Sequence, residues 1–165
     1  MALAETNRVT LFVDAAAQGS AEAQYNLGYL YENGDGVAKD YVEAAKWYGM
    51  AAAQGDHDAQ NNLGVLYERG LGVVQNFDDA ARWYRLAAEQ GNALSQYNLG
   101  LLYLQGTGVE QDDVTAAQWL LKAAEHGDPA AQYSVADLYF NGQGVRQDYD
   151  AASKWLNRAA AAEPA

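Results

Sequence analysis

Four tryptophans, Trp47, Trp83, Trp119 and Trp155, recur at intervals of 36 residues. The same interval separates Gly19, Gly55, Gly91 and Gly127, and again Tyr31, Tyr67, Tyr103 and Tyr139. A period of this length belongs to stacked supersecondary units, each too small to bury its apolar face alone. Leu27-Gly28 returns as Leu63-Gly64 and Leu99-Gly100, then as Val135-Ala136. No insertion disturbs the register. Of the 16 glycines, only Gly49 falls outside a recurring position. The period therefore fixes the boundaries before any other argument: repeats at 20–55, 56–91, 92–127 and 128–163, within a single domain spanning 1–165.

Each unit reads as two helices. Helix A of the first copy spans about Ala21–Asn33, behind Ser20, and its counterparts start behind Asp56, Asn92 and Asp128. All four side chains can accept a bond from a free N–H in the first helical turn. Pro129 follows the last cap at the one helical position where its missing N–H costs nothing. A Gly-x-Gly-Val segment ends each helix A, with Gly34, Gly70, Gly106 and Gly142 suited to a left-handed C′ position. Helix B starts behind Asp40, Asn76, Asp112 and Asp148, and Asp40 with Glu43 has capping-box spacing. At 100° per residue, Ala23, Leu27, Leu30 and Tyr31 share one face of helix A. Tyr41, Ala44, Trp47, Tyr48, Ala51 and Ala52 share one face of helix B. Gly28, Gly64 and Gly100 lie inside helix A at about 1 kcal/mol each relative to alanine, which implies close backbone contact with a neighbouring helix. Leu11-Phe12 and Ala15-Ala16 repeat the helix B pattern one period early, so residues 8–19 read as a lone helix B covering the first repeat. The last helix B has no successor.

Composition then removes function classes. Half of the residues are apolar, yet mean hydropathy is −0.36, because alanine and tyrosine supply much of that half. A net charge of −12 opposes phosphate backbones and anionic membrane surfaces alike. Absence of cysteine excludes disulfides, thiolate metal sites and thiol nucleophiles. No run of 18 apolar residues can span a bilayer, and Met1–Thr10 has no apolar stretch of the kind a signal peptide needs. The compartment is left open. His57 and His126 lie almost two repeats apart, and Asp56-His57-Asp58 contains a predicted cap, so neither forms a metal site. No Ser-x-x-Lys, His-Glu-x-x-His or phosphate-cradling Gly-x-x-x-x-Gly-Lys occurs. The expectation is a chain without catalytic residues, metal or cofactor: not an enzyme.

The string Ala23-Gln24-Tyr25-Asn26-Leu27-Gly28, followed by Tyr31, Gly34-x-Gly-Val37, Ala44-Ala45-x-Trp47-Tyr48 and Ala51-Ala52-x-Gln54-Gly55, resembles the Sel-1-like repeat, a relative of the tetratricopeptide repeat. The match covers about residues 9–163, four copies in phase. The resemblance implies an all-α fold, a right-handed α/α superhelical solenoid with helix A on the concave side. It also implies adaptor or scaffold roles, often in bacteria. The intra-repeat disulfide of some relatives is ruled out here. Repeat four departs from the pattern at Val135-Ala136, Ser153 and Leu156.

Opposing helix A's apolar stripe gives the candidate protein- or peptide-binding surface. It comprises Glu22, Tyr25, Asn26 and Tyr29 in repeat one, and Asn61, Asn62, Val65 and Arg69 in repeat two. Repeat three adds Tyr97, Asn98 and Leu101, and repeat four Tyr133 and Asp137. An amide both donates and accepts, so Asn26, Asn62 and Asn98 could grip an extended backbone; equally, they could tie one repeat to the next. Gln24, Gln60, Gln96 and Gln132 sit at the edge of the core face, where a bond to a neighbouring loop is expected. The tryptophans are at core spacing. Two readings follow: a non-catalytic adaptor that binds a protein or extended peptide, or a self-associating array joined end to end through the uncovered last helix.

Overall fold

The computed structural model describes residues 2–162, with side chains from Val9 to Ala161. Among the described residues there are nine helices and no strand. They are α1 (Ala2–Ala17), α2 (Ala21–Asn33), α3 (Tyr41–Ala53), α4 (His57–Arg69), α5 (Phe77–Glu89), α6 (Ala93–Gln105), α7 (Asp113–Glu125), α8 (Pro129–Asn141) and α9 (Tyr149–Ala162). α1 is the lone helix B, and the even-numbered helices are helix A of each repeat. α1 begins earlier than the expected residue 8. Ala2, Leu3, Ala4 and Glu5 are strong helix formers, and no glycine or proline interrupts them.

Every expected cap forms. Ser20, Asp56, Asn92 and Asp128 accept from the N–H three residues on. Asp40, Asn76 and Asp112 each receive two first-turn N–H groups, and Asp148 receives Ala151 N–H. Each such bond is worth about 1 kcal/mol. The Thr115 hydroxyl, donating to Asp112 at 2.6 Å, holds that carboxyl below its usual range. The capping box forms only in part. Glu43 pairs with Lys46, because the Asp40 N–H is already taken by the Tyr31 carbonyl at 2.9 Å. The same bond recurs from Asn76 to Tyr67, Asp112 to Tyr103 and Asp148 to Tyr139. The start of helix B is thus tied to the last turns of helix A, and this fixes the course of the Gly-x-Gly-Val loop.

The two loop glycines have different physical reasons. Gly34, Gly70, Gly106 and Gly142 adopt left-handed φ of 64–74° and close the helix by donating to the carbonyl four residues back. Gly72 and Gly144 also have positive φ, and in addition a Cβ there would land on the carbonyl of Tyr41 or Asp113, at the start of the preceding helix B. Gly49, outside the period, has neither reason. It sits mid-α3 with nothing within 4 Å of an ideal Cβ. Gly49→Ala should therefore raise stability by about 1 kcal/mol through helix propensity alone, read as a higher urea midpoint; a lower midpoint would show an unforeseen contact.

By packing, the described residues divide between Ala87 and Ala88 into two compact units, taken in turn below. In a repeat array each element meets only its sequence neighbours, so few contacts join distant parts. In unit 1, α2 packs on α1 and α3, and α3 on α4. Ala44, Tyr48, Ala51, Ala59, Leu63 and Leu66 form one core, with Trp83 of α5 against it. In unit 2, α7 packs on α6 and α8, and α8 on α9, around Leu120, Ala123, Val135 and Leu138.

Candidate binding surface

The helix A side chains divide by what packing leaves over. The invariant glutamines are used up. Gln24, Gln60, Gln96 and Gln132 are buried, and each donates through Nε2 at 3.1–3.2 Å to the carbonyl of the alanine eight residues earlier, in the last turn of the preceding helix B. The expected bond is to that helix end, not to a loop proper. Gln24 Oε1 also accepts from Gln54 at 2.7 Å.

In the first three repeats the residue after the tryptophan lies deeper than the tryptophan, whereas in the fourth Leu156 is 44% exposed. Trp47, Trp83, Trp119 and Trp155 are half-buried, whereas Tyr48, Tyr84 and Leu120 are fully enclosed. Trp47, Trp83 and Trp155 rest on clusters formed by helix A of their own repeat and the helix B before it. The tyrosines fill the space opened by the helix A glycines: a Cβ on Gly28 would stand 2.5 Å from the Tyr48 ring, and one on Gly64 would stand 2.7 Å from the Tyr84 ring. The close approach expected at these glycines is therefore to a side chain of helix B in the same repeat.

Burying a phenol requires a partner for its hydroxyl. Tyr48 Oη donates to Glu32 at 2.7 Å, and Tyr84 Oη donates to Glu68. Burial first, and then the facing carboxylate, push both hydroxyls far above the usual tyrosine range. The Asn62 amide bonds the Tyr48 hydroxyl and the Tyr25 hydroxyl, opposing the shift at each. Asn62 also accepts from Asn61 at 3.2 Å. Because the raised pKa favours the neutral form, this stabilisation is complete below pH 10 and declines above it, as unfolded tyrosines ionise while Tyr48 and Tyr84 stay protonated. Stability should fall by about 1.4 kcal/mol per pH unit for each such tyrosine. A urea-midpoint series from pH 8 to about pH 11 checks this, with Tyr48→Phe giving a shallower fall.

Sequence reading missed this pairing, although a signal was present. Position 32 holds Glu32, Glu68, Leu104 and Phe140 through the repeats, and position 48 holds Tyr48, Tyr84, Leu120 and Leu156. Where the acid disappears, so does the hydroxyl.

Among the candidate binding residues, unit 1 exposes Glu22, Tyr29 and Arg69 and half-buries Tyr25, Asn26, Asn62 and Val65. Asn61 does not reach the surface. It is only 5% exposed, a short side chain at the position where Tyr25 and Tyr97 are half-buried and Tyr133 is exposed. Asn62 is engaged by two tyrosines of the preceding repeat, so the tie between repeats describes it better than a ligand contact. In unit 2, Tyr133 and Asp137 are exposed, while Tyr97, Asn98 and Leu101 are half-buried. Tyr97 and Leu101 lean on the α7–α8 core. What remains accessible is an aromatic and charged set on helix A, with Tyr29 48% exposed. No described helix is long and apolar enough to cross a membrane.

Comparison with known proteins adds the following. The profile described as Sel1 repeat matches residues 21–56, 57–92, 93–128 and 129–163, each match opening on the first residue of a helix A. A crystal structure of a protective antigen from uropathogenic Escherichia coli strains, with an SLR fold, superposes at a TM-score of 0.90 with 41% identity. That alignment covers 93% of this chain and 33% of the antigen. A Sel1 repeat protein from Oxalobacter formigenes superposes at 0.83 with 40% identity, over 88% of this chain and 60% of that one. An immunity protein of Pseudomonas aeruginosa shares the fold at 0.53 and 19% identity, over 93% of this chain and 73% of its own. The chain thus spans a third and three fifths of the first two structures. The comparison with curated proteins returned no match.

Proposed function

Since the chain belongs to the Sel1 repeat family, whose solenoids are in general protein-interaction scaffolds, we propose that it is a non-catalytic adaptor which binds a protein or an extended peptide segment on its helix A faces. One observation supports this most. The helix A positions opposite the core keep exposed aromatic and charged side chains that packing does not require: Glu22, Tyr29 and Arg69 in unit 1, Tyr133 and Asp137 in unit 2. Tyrosine offers large contact area at low entropic cost, with a polar tip, which suits it to interfaces. The amide ladder contributes less to this reading than the sequence suggested, because Asn62 is occupied within the fold; Asn26 and Asn98 remain its half-buried members. With net charge −12, nucleic acid is not the partner this reading favours.

The test uses affinity capture with three forms of the chain. Partners retained by wild type and by the outer variant Arg82→Ala/Lys122→Ala should be lost from Tyr29→Ala and from Tyr133→Ala at unchanged helicity. A tenfold or greater loss corresponds to about 1.4 kcal/mol. Retention by both tyrosine variants with loss from the outer variant would place binding on helix B and overturn the proposal.

A further inference from the structure

Helix B carries one stripe whose exposure is the same in every repeat. Beginning at the cap of α3, Asp40 is exposed, Glu43 half-buried, Lys46 exposed, Trp47 half-buried and Met50 exposed. The same order of exposures recurs at the equivalent positions of α5, α7 and α9, which for α9 are Asp148, Ala151, Lys154, Trp155 and Arg158. The opening of this stripe in α9 is therefore a property of helix B and not of the last residues of the chain.

The charges on the stripe, by contrast, differ between repeats. Lys46 pairs with Glu43 at 2.9 Å and Arg82 with Asp79 at 3.0 Å, so the base in each of the first two repeats is neutralised from three residues back. Repeat three has Thr115 and Gln118 at these positions, neither acid nor base. Repeat four keeps the base as Lys154, replaces the acid with Ala151 and adds Arg158 one turn on. Among the described residues, no carboxylate pairs with Lys154 or Arg158. Arg158 lies over the Trp155 ring, its Cζ 4.8 Å from the centroid, and Trp155 itself rests on the α7–α8 core. Stacking of this kind holds the guanidinium plane and leaves its N–H edge for a planar anion. An open-sided cavity of about 470 Å³ lies there, lined by Asp148, Ala151, Lys154, Trp155, Asn157 and Arg158. Ligand pockets run to roughly 300–1,000 Å³.

We propose that this cavity in repeat four is a second binding site, which takes the carboxylate of an aspartate or glutamate side chain in an acidic peptide segment. The site is separate from the helix A surface and does not rest on it. Lys154 and Arg158 supply the charge, and Ala151 with the Trp155 ring gives an apolar floor for the methylenes that carry the carboxylate. Asp148 lies at the rim, accepting from Ala151 N–H at 2.9 Å. Two cations against that one carboxylate leave a single positive charge, which suits a second carboxylate better than a phosphate dianion. The net charge of −12 does not forbid an acidic partner here, because at about 0.15 M salt charges beyond about 8 Å are largely screened.

The probe is a capped peptide of alternating glycine and glutamate, titrated in about 0.15 M salt into isotope-labelled protein. Nuclear magnetic resonance follows the indole N–H signals of the four tryptophans, that of Trp155 being identified by its absence from Trp155→Phe. The Trp155 signal should move saturably, and the same peptide with glutamine in place of glutamate should bind about tenfold or more weakly. Lys154→Gln/Arg158→Gln should lose as much affinity. So should Ala151→Glu, which gives Lys154 the acid that Glu43 gives Lys46. Circular dichroism checks that both variants fold. Lys46→Gln and Tyr133→Ala should bind as wild type does, the first because its base is already neutralised, the second because it lies on helix A. A Trp155 signal that does not move, glutamine and glutamate peptides that bind alike, or full affinity in Ala151→Glu would each overturn the proposal. So would an equal loss in Lys46→Gln, or a loss in Tyr133→Ala, which would put the peptide on helix A. A stronger response to inorganic phosphate than to the peptide would overturn the assignment to a carboxylate.

Discussion

Gly72→Ala should destabilise unit 1 by about 3 kcal/mol or more, the sum of two costs. A left-handed φ of 70° costs an L-residue about 1–2 kcal/mol. The added methyl would also collide with the Tyr41 carbonyl and the Val42 N–H, which belong to a capped helix and cannot turn aside as a side-chain tip would. Overpacking of this kind costs about 1–3 kcal/mol. Gly144→Ala should do the same in unit 2, against the Asp113 carbonyl. Gly55→Ala is the control, since φ there is 95° but nothing lies within 4 Å of the new Cβ. It should lose only the conformational part. Urea midpoints at unchanged slope read the difference. Equal losses for Gly72→Ala and Gly55→Ala would mean that the close approach contributes nothing.

Tyr48→Ala should be the largest single loss in the core. The side chain is fully buried against Gly28, with its hydroxyl held by Glu32. Truncating a buried aromatic costs about 3–5 kcal/mol, out of a total that for domains of this size is about 5–15 kcal/mol. Tyr48→Phe keeps the volume but leaves Glu32 and Asn62 without the hydroxyl they share, a loss of about 1–3 kcal/mol. The third repeat suggests the compensation. Leu104 and Leu120 stand where Glu32 and Tyr48 stand, so Glu32→Leu/Tyr48→Leu should be more stable than Tyr48→Leu alone. A double-mutant cycle measures the coupling. Strict additivity would show that the Tyr48–Glu32 bond is incidental and that the two positions are substituted independently.

The period gave the fold class, the repeat boundaries and all eight caps, because these depend on local chemistry that 36-residue spacing displays openly. Ser20 accepts a helix N–H whatever surrounds it, and Gly34 ends a helix for reasons internal to its own backbone. Exposure on helix A was legible only in part. A helical wheel places Glu22, Tyr29 and Asp137 outside, as the structure does, but a residue at the edge of the stripe is exposed or covered according to its length, and the short Asn61 is buried where Tyr25 and Tyr97 are half-buried. Membership of a polar network is a property of several helices at once. Asn62 has two open readings in sequence, and only the packing of α2 and α3 on α4 shows it facing Tyr25 and Tyr48.

The sequence by itself determined where the repeat helices start and stop and which residues could line each core. Tertiary structure alone decided which of two adjacent aromatics takes the centre. Trp47 and Tyr48 share the same apolar stripe, but Gly28 opens a slot facing position 48, and the smaller phenol fits it with a carboxylate within reach of its hydroxyl. Tertiary structure also separated Gly72 from Gly55, both of which have positive φ. A carbonyl of a neighbouring helix lies against the first and nothing lies against the second. Backbone conformation is set by neighbours along the chain and is therefore readable from it. Steric space is set by neighbours across the fold, and those exist only once the helices have docked.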